Sequence, residues 1–128
     1  MKVSIALDGC LWQHQAFFRE LMAAMHSRMN LVGILTSHKQ SMERGDLDLM
    51  VTRGFPLPDF WIGMDAEDVR HPSDFKAMAI LREGIDLHFD DCDQGDPLSV
   101  GVFQRVLGAE FYRLVRIEAR SPLEVHYE

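Results

Sequence analysis

The residues able to do chemistry gather at a few points along the chain. Asp8, Gly9 and Cys10 follow an apolar run in IALDGCLW; Thr36, Ser37 and His38 close LVGILTSH; Lys76 stands in SDFKAMAIL; and Asp90, Asp91 and Cys92 end IDLHFDDC. Aspartates at 86, 90, 91, 93 and 96 crowd one short stretch. Carboxylates so close repel one another unless a cation or a hydrogen-bond network stands among them. Hard cations such as Mg²⁺ take oxygen ligands, keep several waters and often share the remainder with a phosphate. A hydroxyl and a lysine ammonium beside such an ion would hold the other phosphate oxygens.

For these residues to meet, the intervening elements must bring them to one end of the molecule. Residues 2–8 read as a buried strand, and 12–29 carry Phe18, Leu21, Met22, Met25 and Met29 at helical spacing. LVGILTS (31–37) is a nearly continuous apolar run, as expected of a strand covered on both faces. From His38 to Arg53 the pattern predicts a helix broken near Gly45, and GFPLP (54–58) is a turn. DFWIGM (59–64) is a third strand. Ser73 is the expected N-cap of a helix ended by Gly84. IDLHFDD (85–91) is a fourth strand, and Pro97 opens a helix with Val102, Phe103, Val106 and Leu107 on its buried side. FYRLVRI (111–117) is a fifth strand, and the last eleven residues are a short strand or a tail.

Strands and helices alternating with short connections predict a three-layer α/β/α, Rossmann-like domain over residues 1–128, with a central parallel sheet of about five strands. Ligands of such folds bind beyond the carboxyl ends of the strands, which is where the reactive residues fall.

The totals narrow the function. At 128 residues the chain suits one domain. Its 47% apolar and 26% charged residues are those of an ordinary globular protein. A net charge of -7 with no basic run argues against nucleic acid and against anionic membrane surfaces. No stretch approaches the roughly eighteen apolar residues of a membrane span, and the N-terminus lacks a secretory pattern. Two cysteines make no disulfide framework, so a reduced, cytoplasmic setting is expected.

Four segments in order resemble the haloacid dehalogenase (HAD) superfamily of phosphatases and phosphotransferases. The family's first motif, a strand ending Asp-x-Asp-Gly-Thr and an apolar residue, is met by Ala6-Leu7-Asp8-Gly9-Cys10-Leu11. Its second, a strand ending in Thr or Ser, is met by GILTSH at Thr36 with Ser37 beside it. Its third, a helical lysine, is met by Lys76, and its fourth, a strand ending in paired acids, by Asp90 and Asp91. The likeness spans about residues 1–117. It implies a HAD-like fold without a cap domain, since neither interval between motifs is long enough to hold one. It also implies Mg²⁺ held by Asp8, Asp90 and Asp91, and phosphate held by Thr36, Ser37 and Lys76. The ligand would be a small phosphorylated molecule or a protein partner.

The first motif departs from the family at its nucleophile. Aligned on Asp-Gly, that position is Ala6, whose methyl group cannot form an acyl phosphate. Asp8 then keeps the acid/base position, and the resemblance implies a degenerate, non-hydrolytic protein. A register two residues later makes Asp8 the nucleophile of a working Mg²⁺-dependent phosphohydrolase, with Cys10 as a poor acid.

Plainer readings stand beside these. Asp8 can cap a turn, Lys76 can be a surface lysine, Thr36 and Ser37 can cap the next helix, and Asp93 and Asp96 can be solvated loop acids. Cys10, Cys92 and His38 would suit a soft metal or a redox pair only if the fold gathers them; small residues at tight turns explain the two cysteines as well. His88, Trp12 and Trp61 read as packing residues.

Overall fold

Val3 and Ile5 are fully buried, so β1 (Lys2–Ile5) is a central strand, flanked by β2 (Leu31–Lys39) and β4 (Leu87–Asp90) and parallel to both. β3 (Trp61–Met64) lies outside β2 and β5 (Leu114–Arg116) outside β4, giving five parallel strands in the order β3-β2-β1-β4-β5. The computed structural model describes residues 1–68, 70–92, 96 and 98–118. Among the described residues four α-helices connect the strands: α1 (Gln15–Ser27), α2 (Glu43–Thr52), α3 (Pro72–Arg82) and α4 (Ser99–Leu107).

Alternation along the strands sends side chains to opposite faces, and each face finds a helical cover. Phe18 and Met22 of α1 and Met50 of α2 pack with Ile5, Val32 and Ile34. Phe75 and Ile80 of α3 and Phe103 and Leu107 of α4 pack with Leu35 and Leu114 on the other side. The three-layer α/β arrangement expected from the sequence is therefore present. No helix of the described residues is long and apolar enough to cross a membrane.

The chain steps outward from β1 to β2 to β3, then returns to the opposite flank of β1 for β4 and β5. A reversal of that kind opens a crevice between the carboxyl ends of the two strands where it occurs, here β1 and β4.

Several boundaries differ from the sequence reading. β1 ends at Ile5 instead of residue 8, because the chain turns away once Ala6 N–H has bonded Phe89 O at 2.9 Å. β2 runs on to Lys39, so Thr36, Ser37 and His38 are strand residues and do not open a helix. Gly45 does not break α2. A 3-10 turn over Gln40–Met42 precedes the helix, and Gly45 sits exposed in its first turn, where backbone N–H groups have no intrahelical partner to lose. Ser73 is not the cap of α3: His71 is, its Nδ1 accepting the Ser73 N–H at 3.1 Å, with Pro72 at the first helical position. The buried Ser73 hydroxyl instead meets Ser99 Oγ at 2.5 Å, tying α3 to α4. Asp93, the helix start at Pro97 and the segment 119–128 lie outside the described residues.

Gly33 of β2 shows how tightly the strands are covered. A methyl group there would stand 2.5 Å from the Phe60 ring and from the Phe60 carbonyl oxygen. Since a backbone atom cannot swing aside, Gly33→Ala is expected to lower stability by about 1–3 kcal/mol, the usual range for overpacking. Urea unfolding monitored by circular dichroism measures it; an unchanged midpoint would show that β3 shifts freely.

Candidate functional site

Beyond β1 the backbone makes a wide turn over Leu7–Leu11, closed by Leu11 N–H to Ala6 O (3.1 Å) and Trp12 N–H to Leu7 O (3.2 Å). Inside it, Asp8 (φ -69°, ψ 139°) and Gly9 (φ 71°, ψ -9°) have the dihedrals of a type II turn, which asks for glycine at its second central residue. Space asks for glycine too, since a side chain at Gly9 would run into the Asp91 carboxylate. The Asp-Gly pair therefore sets both the turn and the approach of the β4 end to the β1 end.

That turn carries Asp8 outward. Its side chain is 73% exposed, and Oδ2 accepts from His38 Nε2 at 2.6 Å. His38 Nδ1 faces Asp46 Oδ2 of α2 at 2.8 Å. With a carboxylate at each ring nitrogen, the surroundings favour the doubly protonated imidazolium, in which both nitrogens donate. Partial burial opposes that charge, but hydrogen bonds donated to Asp46 and Asp8 outweigh it and raise the pKa above its ordinary 6.5.

The second group lies inside the protein, beneath α3. Lys76, expected either on phosphate or at the surface, is only 5% exposed and donates from Nζ to Asp90 Oδ2 at 2.9 Å. The same oxygen accepts from His88 Nε2 at 2.7 Å, and Asp90 Oδ1 accepts the Cys92 N–H at 2.9 Å. Burial pushes His88 toward its neutral form. Since Nε2 carries the proton given to Asp90, Nδ1 accepts from the Ser4 hydroxyl at 2.7 Å. Burial alone would favour a protonated Asp90, yet the Lys76 charge beside it holds the carboxyl well below the usual range. Ser4, His88 and Asp90 are all fully buried.

The residues singled out from the sequence thus fall into two groups. Lys76 and Asp90 meet, whereas Asp8 is partnered by His38. Thr36 is buried, with Oγ1 accepting the His38 N–H at 3.1 Å, and Ser37 is half-buried next to it. Asp91 packs over Gly9, and Asp96 pairs with His71 Nε2 at 2.8 Å. Cys10 and Cys92 are free, buried thiols. Burial first, and then the Asp90 charge, push Cys10 strongly upward and Cys92 to about 12. Ala6 is buried in the core.

Mg²⁺ needs several oxygen ligands converging in near-octahedral geometry. Among the described residues no three His, Cys, Asp or Glu side chains are grouped to hold a metal ion. Asp90 has both oxygens engaged by protein donors and Asp8 is turned to His38. Among the described residues the arrangement does not fit the ion. An open depression of about 300 Å³ lies at the ends of β4 and β5, lined by Asp91, Arg116, Ile117 and Glu118.

Asp46 and Ser4 were not legible as members of these groups. Asp46 sits in α2, which begins at Glu43 and not at His38, so the spacing alone does not pair it with the His38 ring. Ser4 had a signal: a lone hydroxyl between Val3 and Ile5 in a buried strand needs a partner, and the sheet register sets it opposite His88. No protein-family model, curated protein or solved structure matches the chain.

Two outcomes follow from the charges. Lys76→Met leaves a buried carboxylate without its cation and is expected to cost about 3–5 kcal/mol in chemical unfolding; a loss under about 1 kcal/mol would mean Asp90 protonates at little cost. For His38, a pKa raised in the folded state gives stability that is complete below about pH 6.5 and fades as pH rises through the folded value. The stability gap between wild type and His38→Asn should therefore shrink above that pH, and a gap that widens would contradict the imidazolium.

Proposed function

We propose that this chain is a capless HAD-like domain that lacks the covalent step of the HAD phosphatases and acts by binding. The observation that supports it most is at the end of β1. The residue aligned with the nucleophile is Ala6, buried in the core, and the carboxylate two positions on faces His38 at 2.6 Å and not the Lys76–Asp90 pair. A methyl group offers no lone pair to phosphorus. Asp8 in turn is held by a cation on the exposed side of the turn.

The strand order agrees with this reading, since it sets the first and fourth motifs on neighbouring strands. The ligand is a small phosphorylated molecule or a protein partner that reaches the open carboxyl end of the sheet. Arg116, exposed at the rim of the depression beside Asp91, supplies a positive charge there. Lys76 is less suited to phosphate, because its charge is already balanced by Asp90 inside the protein.

Hydrolysis of a generic aryl phosphate in the presence of Mg²⁺ tests the proposal. Wild type is expected to give only the background rate, and Ala6→Asp to be the variant in which any turnover appears. Turnover by the wild type that Asp8→Asn abolishes would instead establish Asp8 as the nucleophile of an active phosphohydrolase.

A further inference from the structure

Asp8 and Asp90, two of the three carboxylates that the resemblance assigns to a divalent ion, share one property: each is met by a cationic side chain of the protein itself. We infer that His38 and Lys76 take over the charge-balancing role of a metal, so that the strand-end site is complete without one. The inference rests on the HAD-like reading for the comparison with Mg²⁺, and otherwise on the geometry alone.

Asp90 makes the stronger case. A carboxylate binds an ion through an oxygen lone pair directed at it, with room for the ion's remaining waters. Asp90 Oδ2 already accepts from Lys76 Nζ at 2.9 Å and His88 Nε2 at 2.7 Å, and Oδ1 accepts the Cys92 N–H at 2.9 Å. The side chain is 0% exposed, which leaves no room for a hydrated ion. A divalent cation there would also stand next to the Lys76 ammonium, in a medium that screens like charges poorly.

At Asp8 the same exchange occurs at the surface. His38 Nε2 holds Oδ2 at 2.6 Å, and Asp46 fixes the ring from behind at 2.8 Å. The imidazole is anchored on α2 as well as on its own strand, so it is a built-in partner and not a side chain that drifts onto Asp8. Three elements, the turn after β1, the end of β2 and α2, close through this one ring. Charge balance by protein groups has a further effect. A metal couples folding to ion supply, whereas the Lys76 charge is part of the chain and the His38 charge depends on pH alone.

Calorimetric titration of the full chain with MgCl₂, together with thermal unfolding in Mg²⁺ and in a chelator, tests this. Wild type is expected to show no saturable heat and an unmoved midpoint. His38→Asn and Lys76→Ala, which each remove one internal cation and, at Lys76, also open space beside Asp90, are expected to show saturable Mg²⁺ heat where wild type shows none, with a midpoint that rises in Mg²⁺. Should Lys76→Ala not fold, His38→Asn carries the test, because its change is near the surface. Saturable Mg²⁺ binding by wild type that Asp8→Asn or Asp91→Asn removes would overturn the inference. So would the absence of any gain in both variants, which would make the pairs purely structural. Wild type that binds Mg²⁺ yet hydrolyses no phosphate ester overturns this inference alone and leaves the non-hydrolytic reading standing; Mg²⁺-independent turnover does the reverse.

Discussion

The ion pair between Lys76 and Asp90 is the constraint around which the carboxyl end of the sheet is organised. Withdrawing both charges from water is costly, and such a pair is tolerated only where further hydrogen bonds satisfy the remaining lone pairs. Here they do: His88 and the Cys92 N–H complete Asp90, and Ser4 completes His88. The chain of bonds begins on β1, crosses to β4 and ends on α3. Those are the elements that meet where the strand order reverses. The crevice between β1 and β4 is thus fixed by polar groups at its floor, not only by apolar packing on either side.

Layer architecture was readable from the sequence because it depends on periodicity. LVGILTS is apolar at nearly every position, and a strand of that kind needs cover on both faces, which α1, α2, α3 and α4 supply. Which residues would end up beside one another was less accessible. Lys76 reads from the sequence either as a phosphate ligand or as a surface lysine, yet Phe75, Ala77, Ala79 and Ile80 around it are all buried. A lysine four residues before Ile80, on the apolar side of its helix, must either reach water or find a carboxylate, and Asp90 was the available one.

The Asp8 environment was hidden for a different reason. Spacing along the chain fixes that Asp8 follows a strand, but the direction of its side chain is set by the type II turn it enters with Gly9. A regular continuation of the strand would have aimed it out of the sheet, on the same face as Ser4. His38 was misassigned with it, since two polar residues after an apolar run suggest the end of a strand, while β2 continues past them to Lys39. Partners drawn from three elements cannot be deduced from the pattern of any one of them.

The two thiols lend the same region a built-in chemical clock. Cys10 lies in the turn after β1 and Cys92 just past Asp90, where it holds a positive φ of 60° that few non-glycine residues adopt. Both are buried, and both are kept protonated by burial and by neighbouring carboxylates, so neither is a nucleophile while the fold is closed. Alkylation must wait for local opening. The rate at which Cys10 and Cys92 react is therefore a direct measure of how often the crevice between β1 and β4 breathes, read separately from its two sides.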